Sequence, residues 1–294
     1  MWPNTRLCNG RSGKPLEPSE STRMKPMSVF YHIWSPAGTD LWQFIVDEQL
    51  KRLYRHGIHA HADIYCAISG PLATRIADYV ALYDWIHILE VSPDDQEYEG
   101  LTLKKLYEHV HAQADKQAVM YFHTKGISHM SGQSSLCKVP GINNDRMFKS
   151  VNSWRHQMEW GVIDQWREAL VKLNDHHVAG VNYCISPWPH MSGNFWWARA
   201  DYVRTLTHPT QGQYQQDPGD FGVIERMKYE KWIGTGQPKC FSFHDVPFSY
   251  QSQGIGPDVT PQAFEPQDFW LYRDDIGPHF TAFQPAKERL TDSA

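Results

Sequence analysis

The sequence predicts an α/β fold with a mainly parallel central sheet flanked by helices. Two observations predict it. Short apolar runs alternate with segments whose apolar residues recur every three or four positions, giving a β-α-β-α-β-α-β order over the first half of the chain. The chain also has 294 residues, 41% of them apolar, enough for one large α/β domain or two small ones with a sizeable core.

The elements follow in order. Ser28 to Trp34 is the first strand. Thr39 or Asp40 can cap a helix carrying Leu41, Phe44, Ile45 and Leu53 on one face, ending near Gly57. His61 to Ile68 is the second strand, stopped by Ser69-Gly70-Pro71, and a short helix from Leu72 to Leu82 leads to a third strand at Trp85 to Val91. A helix from Leu101 to Asp115 precedes the fourth strand, Ala118 to His123. Gly126 to Asn144 has no periodicity and reads as a mobile loop. One long helix then carries Val151, Trp154, Met158, Val162, Trp166, Leu170 and Leu173, and Val178 to Ile185 forms the next strand. After Leu206 the chain is irregular, with a helix near Glu225 to Trp232 and a strand at Lys239 to Phe243.

Residues 1–26 are polar and lack the apolar core of a signal peptide, so they are expected to be a disordered leader. Residues 27–250 are expected to form the domain and 251–294 an irregular extension packed on it or trailing it. No apolar run approaches the roughly 18 residues of a membrane span. The net charge of −5 has the wrong sign for holding nucleic acid through its phosphates. Five scattered cysteines without a CxxC pair fit a reducing, cytoplasmic setting better than a disulfide framework. The sixteen histidines show no metal-site spacing: His59/His61, His109/His111 and His176/His177 lack accompanying carboxylates.

Ligands of open parallel sheets bind beyond the carboxyl ends of the strands. There the first strand offers Tyr31 and His32, the second Ser69, and the fourth His123-Thr124-Lys125-Gly126. Lys125 supplies a point charge beside exposed backbone N–H groups, which suits an anionic ligand. The alternative is a lysine in a solvated turn. A second cluster holds Asn182, His190, Ser192, Asn194, Trp196 and Trp197. The two adjacent tryptophans point to opposite faces of a strand, one into the core and one free to cover a sugar ring. Arg155 and Glu159 lie one helical turn apart and can pair on the surface. Glu230 is either a general base or a surface residue.

At these residues the chain resembles a family of glycosyltransferase-like proteins of bacteria and large algal viruses. The shared motifs are His-Thr-Lys-Gly (His123 to Gly126), Trp-Arg-x-x-Met-Glu (Trp154 to Glu159) and Gly-Val-Asn (Gly180 to Asn182). Pro-His-x-Ser-Gly-Asn-Phe-Trp-Trp-Ala (Pro189 to Ala198) and Glu-x-Trp-Ile-Gly (Glu230 to Gly234) follow in the same order. The resemblance implies a GT-A-like fold and transfer of a sugar from a nucleotide-sugar donor to a hydroxyl of a glycan or glycoconjugate. A carbohydrate-binding protein without catalysis and a histidine-based hydrolase are the alternatives.

In the GT-A family an Asp-x-Asp motif holds a divalent metal, Mn or Mg, where this chain has His123-Thr124-Lys125. The resemblance therefore leaves metal dependence open, with Lys125 and Arg155 able to balance a diphosphate. It implies Glu230, Lys125 and His123 as catalytic. Tyr31, His32, Ser69, Glu99, Thr102, Thr124, Arg155 and His244 would bind the donor. Asn182, His190, Ser192, Asn194, Trp196 and Trp197 would meet the sugar and acceptor.

Overall fold

The computed structural model describes residues 26–114, 117–130, 144–185, 189–191, 193–211 and 227–243. The expected C-terminal extension, the leader up to residue 25, and the candidate residues Ser192 and His244 lie outside them.

Strands β1 (Met27–Trp34), β2 (Ala62–Ser69), β3 (Ile86–Ser92) and β4 (Ala118–His123) pair in parallel, with β1 between β2 and β4. The crossovers are α1 (Leu41–Arg55) with the short α2 (Ile58–His61), then α3 (Ala73–Val80), then α4 (Gly100–Ala112). At the first helix start, Thr39 accepts the Leu41 N–H at 3.2 Å, while Asp40 makes no capping bond.

After β4 come α5 (Ile127–Met130), α6 (Asn144–Glu159), a π-helical turn (Trp160–Asp164) and α7 (Trp166–Lys172). The remaining elements are β5 (Val178–Gly180), β6 (Tyr183–Cys184), β7 (His190–Met191), β8 (Trp196–Arg199), α8 (Ala200–Thr205), α9 (Met227–Trp232) and β9 (Cys240–Ser242). Among the described residues the main sheet has seven strands in the order β3-β2-β1-β4-β8-β5-β9. Only β8 runs antiparallel to its neighbours, so the expected α/β class with a mainly parallel sheet is what the chain forms.

The sheet is covered on both faces, which is why β1 and β4 are apolar almost throughout. Val29, Tyr31 and Ile33 point to a core shared with α1, α3, α6 and α7, while Phe30 points to one shared with α4, α8 and α9.

Three sequence expectations fail here for local reasons. The loop expected from Gly126 to Asn144 opens with α5 (Ile127–Met130), and residues 131–143 lie outside the described ones. The strand expected from Val178 to Ile185 is two strands in different sheets, because Asn182 takes a left-handed φ of 54° and turns the chain out of the main sheet. The long helix from Val151 to Leu173 is interrupted by the π-helical turn. At that turn a Cβ on Gly161 would stand 2.1 Å from Val181 Cγ2, and the Val162 carbonyl accepts the Trp197 indole N–H at 2.7 Å.

A buried charge network joins α1 to the α6–π turn. Arg155 is fully buried and bonds Glu159 at 2.7 Å, Asn152 at 2.7 Å, and Glu48. Arg52 grips Asp164 through two bonds of 2.6 and 2.7 Å and reaches Glu159 at 3.1 Å. Gln49 extends the network across the core: it donates to Glu159 at 2.7 Å and to the His123 carbonyl at 3.1 Å, and accepts from Tyr31. The expected surface pair of Arg155 and Glu159 is therefore an interior one.

Burial alone would raise the Glu48 carboxyl, but the His156 hydrogen bond and the Arg155 charge bring it down to about 2. Its folded value then lies below its unfolded one, so its stabilisation is present above about pH 4.5 and lost as the pH falls toward 2. The contribution is about 3 kcal/mol at most. Urea unfolding of Glu48→Gln should show a flatter acid limb than the native protein between pH 5 and 2. Identical acid limbs would remove Glu48 from this role.

Candidate functional site

The carboxyl ends of β1 and β4 meet the first turn of α4, the turn before β8 and the helix α9. Side chains alternate along a strand, so Tyr121 and His123 share the α4/α9 face of β4, and His32 shares it on the paired β1. Lys125 follows β4, and Gly126, at a φ of 85°, turns the chain into α5.

Two carboxylates and one ammonium converge here. Lys125 Nζ lies 3.2 Å from Glu230 Oε1 and 4.8 Å from the centre of the Trp154 ring. Glu99, at the start of α4, accepts hydrogen bonds on Oε2 from the Asn194 amide and from the Tyr121 hydroxyl, the latter at 3.2 Å. Its Oε1 lies 3.7 Å from His123 Nε2, which donates instead to the Gly193 carbonyl at 3.0 Å.

Gly193 and Asn194 both adopt left-handed φ values, 75° and 61°. A Cβ on Gly193 would sit 2.3 Å from Met158 Sδ and 3.1 Å from Trp154 Cζ2, so with its left-handed φ this position favours glycine. Asn194 is fully buried and spends its whole amide: the nitrogen on Glu99 and the Tyr229 carbonyl, the oxygen on the Trp196 indole at 2.7 Å. Asparagine tolerates the left-handed region, and an amide bonded on both sides there fixes the carboxylate it holds.

The electrostatics separate the two acids. Burial and the nearby Glu230 raise the Glu99 carboxyl to about 7, against the opposing Lys125, Asn194 and Tyr121. Burial acts on Glu230 too, but Lys125, then His190 and His123, hold it below its ordinary value. Burial and Glu99 push the Tyr121 phenol well up, so it remains a donor. Burial, then His123, lowers His32 to about 3, so its ring is neutral where Nδ1 meets Thr102 Oγ1 at 2.9 Å. Two carboxyl groups driven apart in this way suit an acid–base pair.

The sequence candidates divide accordingly. Lys125, His123, Glu230, Glu99 and Asn194 come together, with His190 buried close enough to act on Glu230. His32, bonded to Thr102, stands beside His123 on the paired strand. Thr124 is spent on the Trp34 backbone, donating at 2.9 Å and accepting at 3.1 Å. Asn182 is buried on Gln157 at 3.3 Å. Ser69 is fully buried at the end of β2.

Four expectations are corrected. Arg155 cannot face a diphosphate, because it is 0% exposed and its charge is committed to Glu159 and Glu48. Tyr31 points into the opposite core, stacked on Phe122 and bonded to Gln49. Trp196 and Trp197 do take opposite faces of β8, but both are 0% exposed, so neither offers a ring to a sugar.

Tyr121 and the Gly193 carbonyl were not singled out from sequence. Tyr121 had a usable signal: it stands two residues before His123 on a strand and so shares its face. Among the described residues, no group of three or more His, Cys, Asp or Glu could hold a metal ion. No described helix is long and apolar enough to cross a membrane.

Fold and site together define an α/β protein with a partly buried acid–base cluster at the carboxyl end of its sheet. A family model matches residues 30–241, and the chain belongs to that family, the domain of unknown function DUF8361. No curated protein matches it. Among solved structures it is similar to a protein provisionally described as a nucleotide-diphospho-sugar transferase from Desulfovibrio desulfuricans G20, with 10% identity over 85% of this chain and 98% of that one, at a TM-score of 0.38. It is also similar to 4-diphosphocytidyl-2C-methyl-D-erythritol synthase, with 9% identity over 84% and 97% of the two chains, at a TM-score of 0.32. Likeness at these scores assigns no chemistry to this chain.

Proposed function

We propose that this protein is a glycosyltransferase that moves a sugar from a nucleotide-sugar donor to a hydroxyl of a glycan or glycoconjugate. The observation that carries the reading is the convergence of Lys125, Glu230 and Glu99 at the carboxyl ends of β1 and β4. Open α/β sheets bind ligands in that position. The transfer needs a fixed positive charge for the leaving diphosphate and a proton acceptor for the incoming hydroxyl. Lys125 is the cation of the cluster, and transfer without a divalent metal is part of the proposal. A non-catalytic carbohydrate-binding role rested on an open tryptophan, and the burial of Trp196 and Trp197 leaves it without support from them.

The test is a thermal-shift screen of the full chain against UDP-, GDP-, dTDP- and CMP-sugars, with manganese or with a chelator. A donor at about 100 times its Kd stabilises the fold by about 2.7 kcal/mol. In a domain of this size that raises Tm by about 5–10 °C. Lys125→Met should weaken the active donor at least tenfold, as expected when a charge-assisted contact of about 1.5–3 kcal/mol is lost. If no nucleotide sugar shifts the native protein under either condition, the reading is wrong.

A further inference from the structure

We propose that Glu99, rather than Glu230, is the catalytic residue that takes the proton from the acceptor hydroxyl, with Asn194 and Tyr121 as its positioning residues. The inference rests on the transferase reading and deepens it.

The geometry separates the two acids. Glu230 Oε1 is ion-paired with Lys125 at 3.2 Å, so accepting a proton there would break the pair. Glu99 is held differently. Both of its hydrogen bonds, from Asn194 and Tyr121, end on Oε2. Oε1 accepts none among the described residues; His123 Nε2 is 3.7 Å from it and donates to the Gly193 carbonyl. One oxygen is thus anchored and the other has a lone pair to offer. The Glu99 side chain is 14% exposed, which leaves it desolvated but open to a ligand.

The surroundings favour the same assignment. The groups facing Glu99 are Glu230 from α9, Lys125 from the turn after β4, Tyr121 and His123 from β4, and Asn194 from the turn before β8. Burial and Glu230 bring its carboxyl to about 7, where a base is half ionised at neutral pH and still binds a proton well.

In the step itself, Glu99 Oε1 takes the hydroxyl proton as the acceptor oxygen forms a bond to the anomeric carbon. The bond from that carbon to the diphosphate oxygen breaks, and its electron pair leaves with the nucleoside diphosphate. Glu99 then releases the proton to water. A single displacement of this kind inverts the anomeric centre.

The experiment has two readouts on Glu99→Gln, Glu99→Asp and Glu230→Gln. The first needs no substrate: infrared difference spectra across pH 5–9 follow the protonated-carboxyl band. A band titrating near neutral pH should be present in the native protein, absent in Glu99→Gln, and present with a lower midpoint in Glu230→Gln. The second uses whichever nucleotide sugar stabilises the native protein. Glu99→Gln should lose about 10²–10⁴-fold in kcat, a larger factor than its effect on donor affinity. The rise of kcat/KM with pH through about 7 should vanish in Glu99→Gln and partly return in Glu99→Asp. The assignment is overturned if the band survives in Glu99→Gln, if that variant turns over at the native rate, or if Glu230→Gln is the variant that abolishes the pH rise. If no nucleotide sugar binds, the transferase reading and the substrate named here fall together, and the infrared titration still decides whether Glu99 is the proton carrier of the site.

Discussion

Replacing Arg155 with methionine is expected to destabilise the fold by about 3–5 kcal/mol, the cost of removing one partner from a buried ion pair. The size follows from what is left behind. Glu159 is 1% exposed and bonded to both Arg155 and Arg52, and Glu48 depends on Arg155 and His156. Without Arg155, Glu159 and Asp164 share Arg52 as their arginine, and Glu48 is left with His156. At about 2–4 °C per kcal/mol for a domain of this size, Tm should fall by about 10 °C. Arg155→Lys keeps the charge but not the fork that reaches Glu159 and Glu48 together, so its loss should be smaller. A double variant that also neutralises Glu159, as Glu159→Gln, should recover part of the loss, because the uncompensated charge is the expensive term. Urea and thermal unfolding of the three variants test this. A drop of less than about 2 °C for Arg155→Met would show that the network bears little of the fold's stability.

The same network shows what the sequence could and could not reveal. The spacing of Arg155 and Glu159 says that the two can pair. It cannot say that Glu48, 107 positions away, will close over them, because that contact exists only once α1 packs on α6. An arginine that looked like a surface cation with charge to spare for a phosphate is consequently an interior one.

Strand order gave better guidance. The alternation of apolar runs and amphipathic helices led to the parallel half of the sheet, and from it to the strand ends where Lys125 and His123 stand. The antiparallel insertion of β8 between β4 and β5 was not legible, since no local pattern distinguishes a strand's direction. That insertion carries Gly193 and Asn194 to the Glu99 carboxylate. Glu99 was recognisable as a neighbour of the site, but its anchoring by Asn194 depends on a contact between residues 95 positions apart.

Trp197→Ala is expected to cost at least as much as the arginine substitution, with about 3–5 kcal/mol from the lost burial and the cavity it leaves. The indole is fully buried against the π-helical turn, and its N–H is bonded to the Val162 carbonyl at 2.7 Å. Losing it leaves that carbonyl short of a partner inside the core, at a further 1–3 kcal/mol or so. Trp197→Phe keeps most of the volume and forfeits mainly the hydrogen bond, so the pair of variants separates packing from polar satisfaction. The measurement also bears on function. A tryptophan that stacked on a sugar would, when removed, weaken ligand binding and leave urea unfolding nearly unchanged. A core tryptophan does the reverse, lowering the unfolding midpoint while any folded fraction binds normally. Trp196 joins the two roles: it is equally buried, but its N–H holds the Asn194 amide that holds Glu99. Trp196→Phe should therefore cost less stability than Trp197→Ala while disturbing the carboxylate, which would make the twin tryptophans structural supports of the site rather than its binding surface.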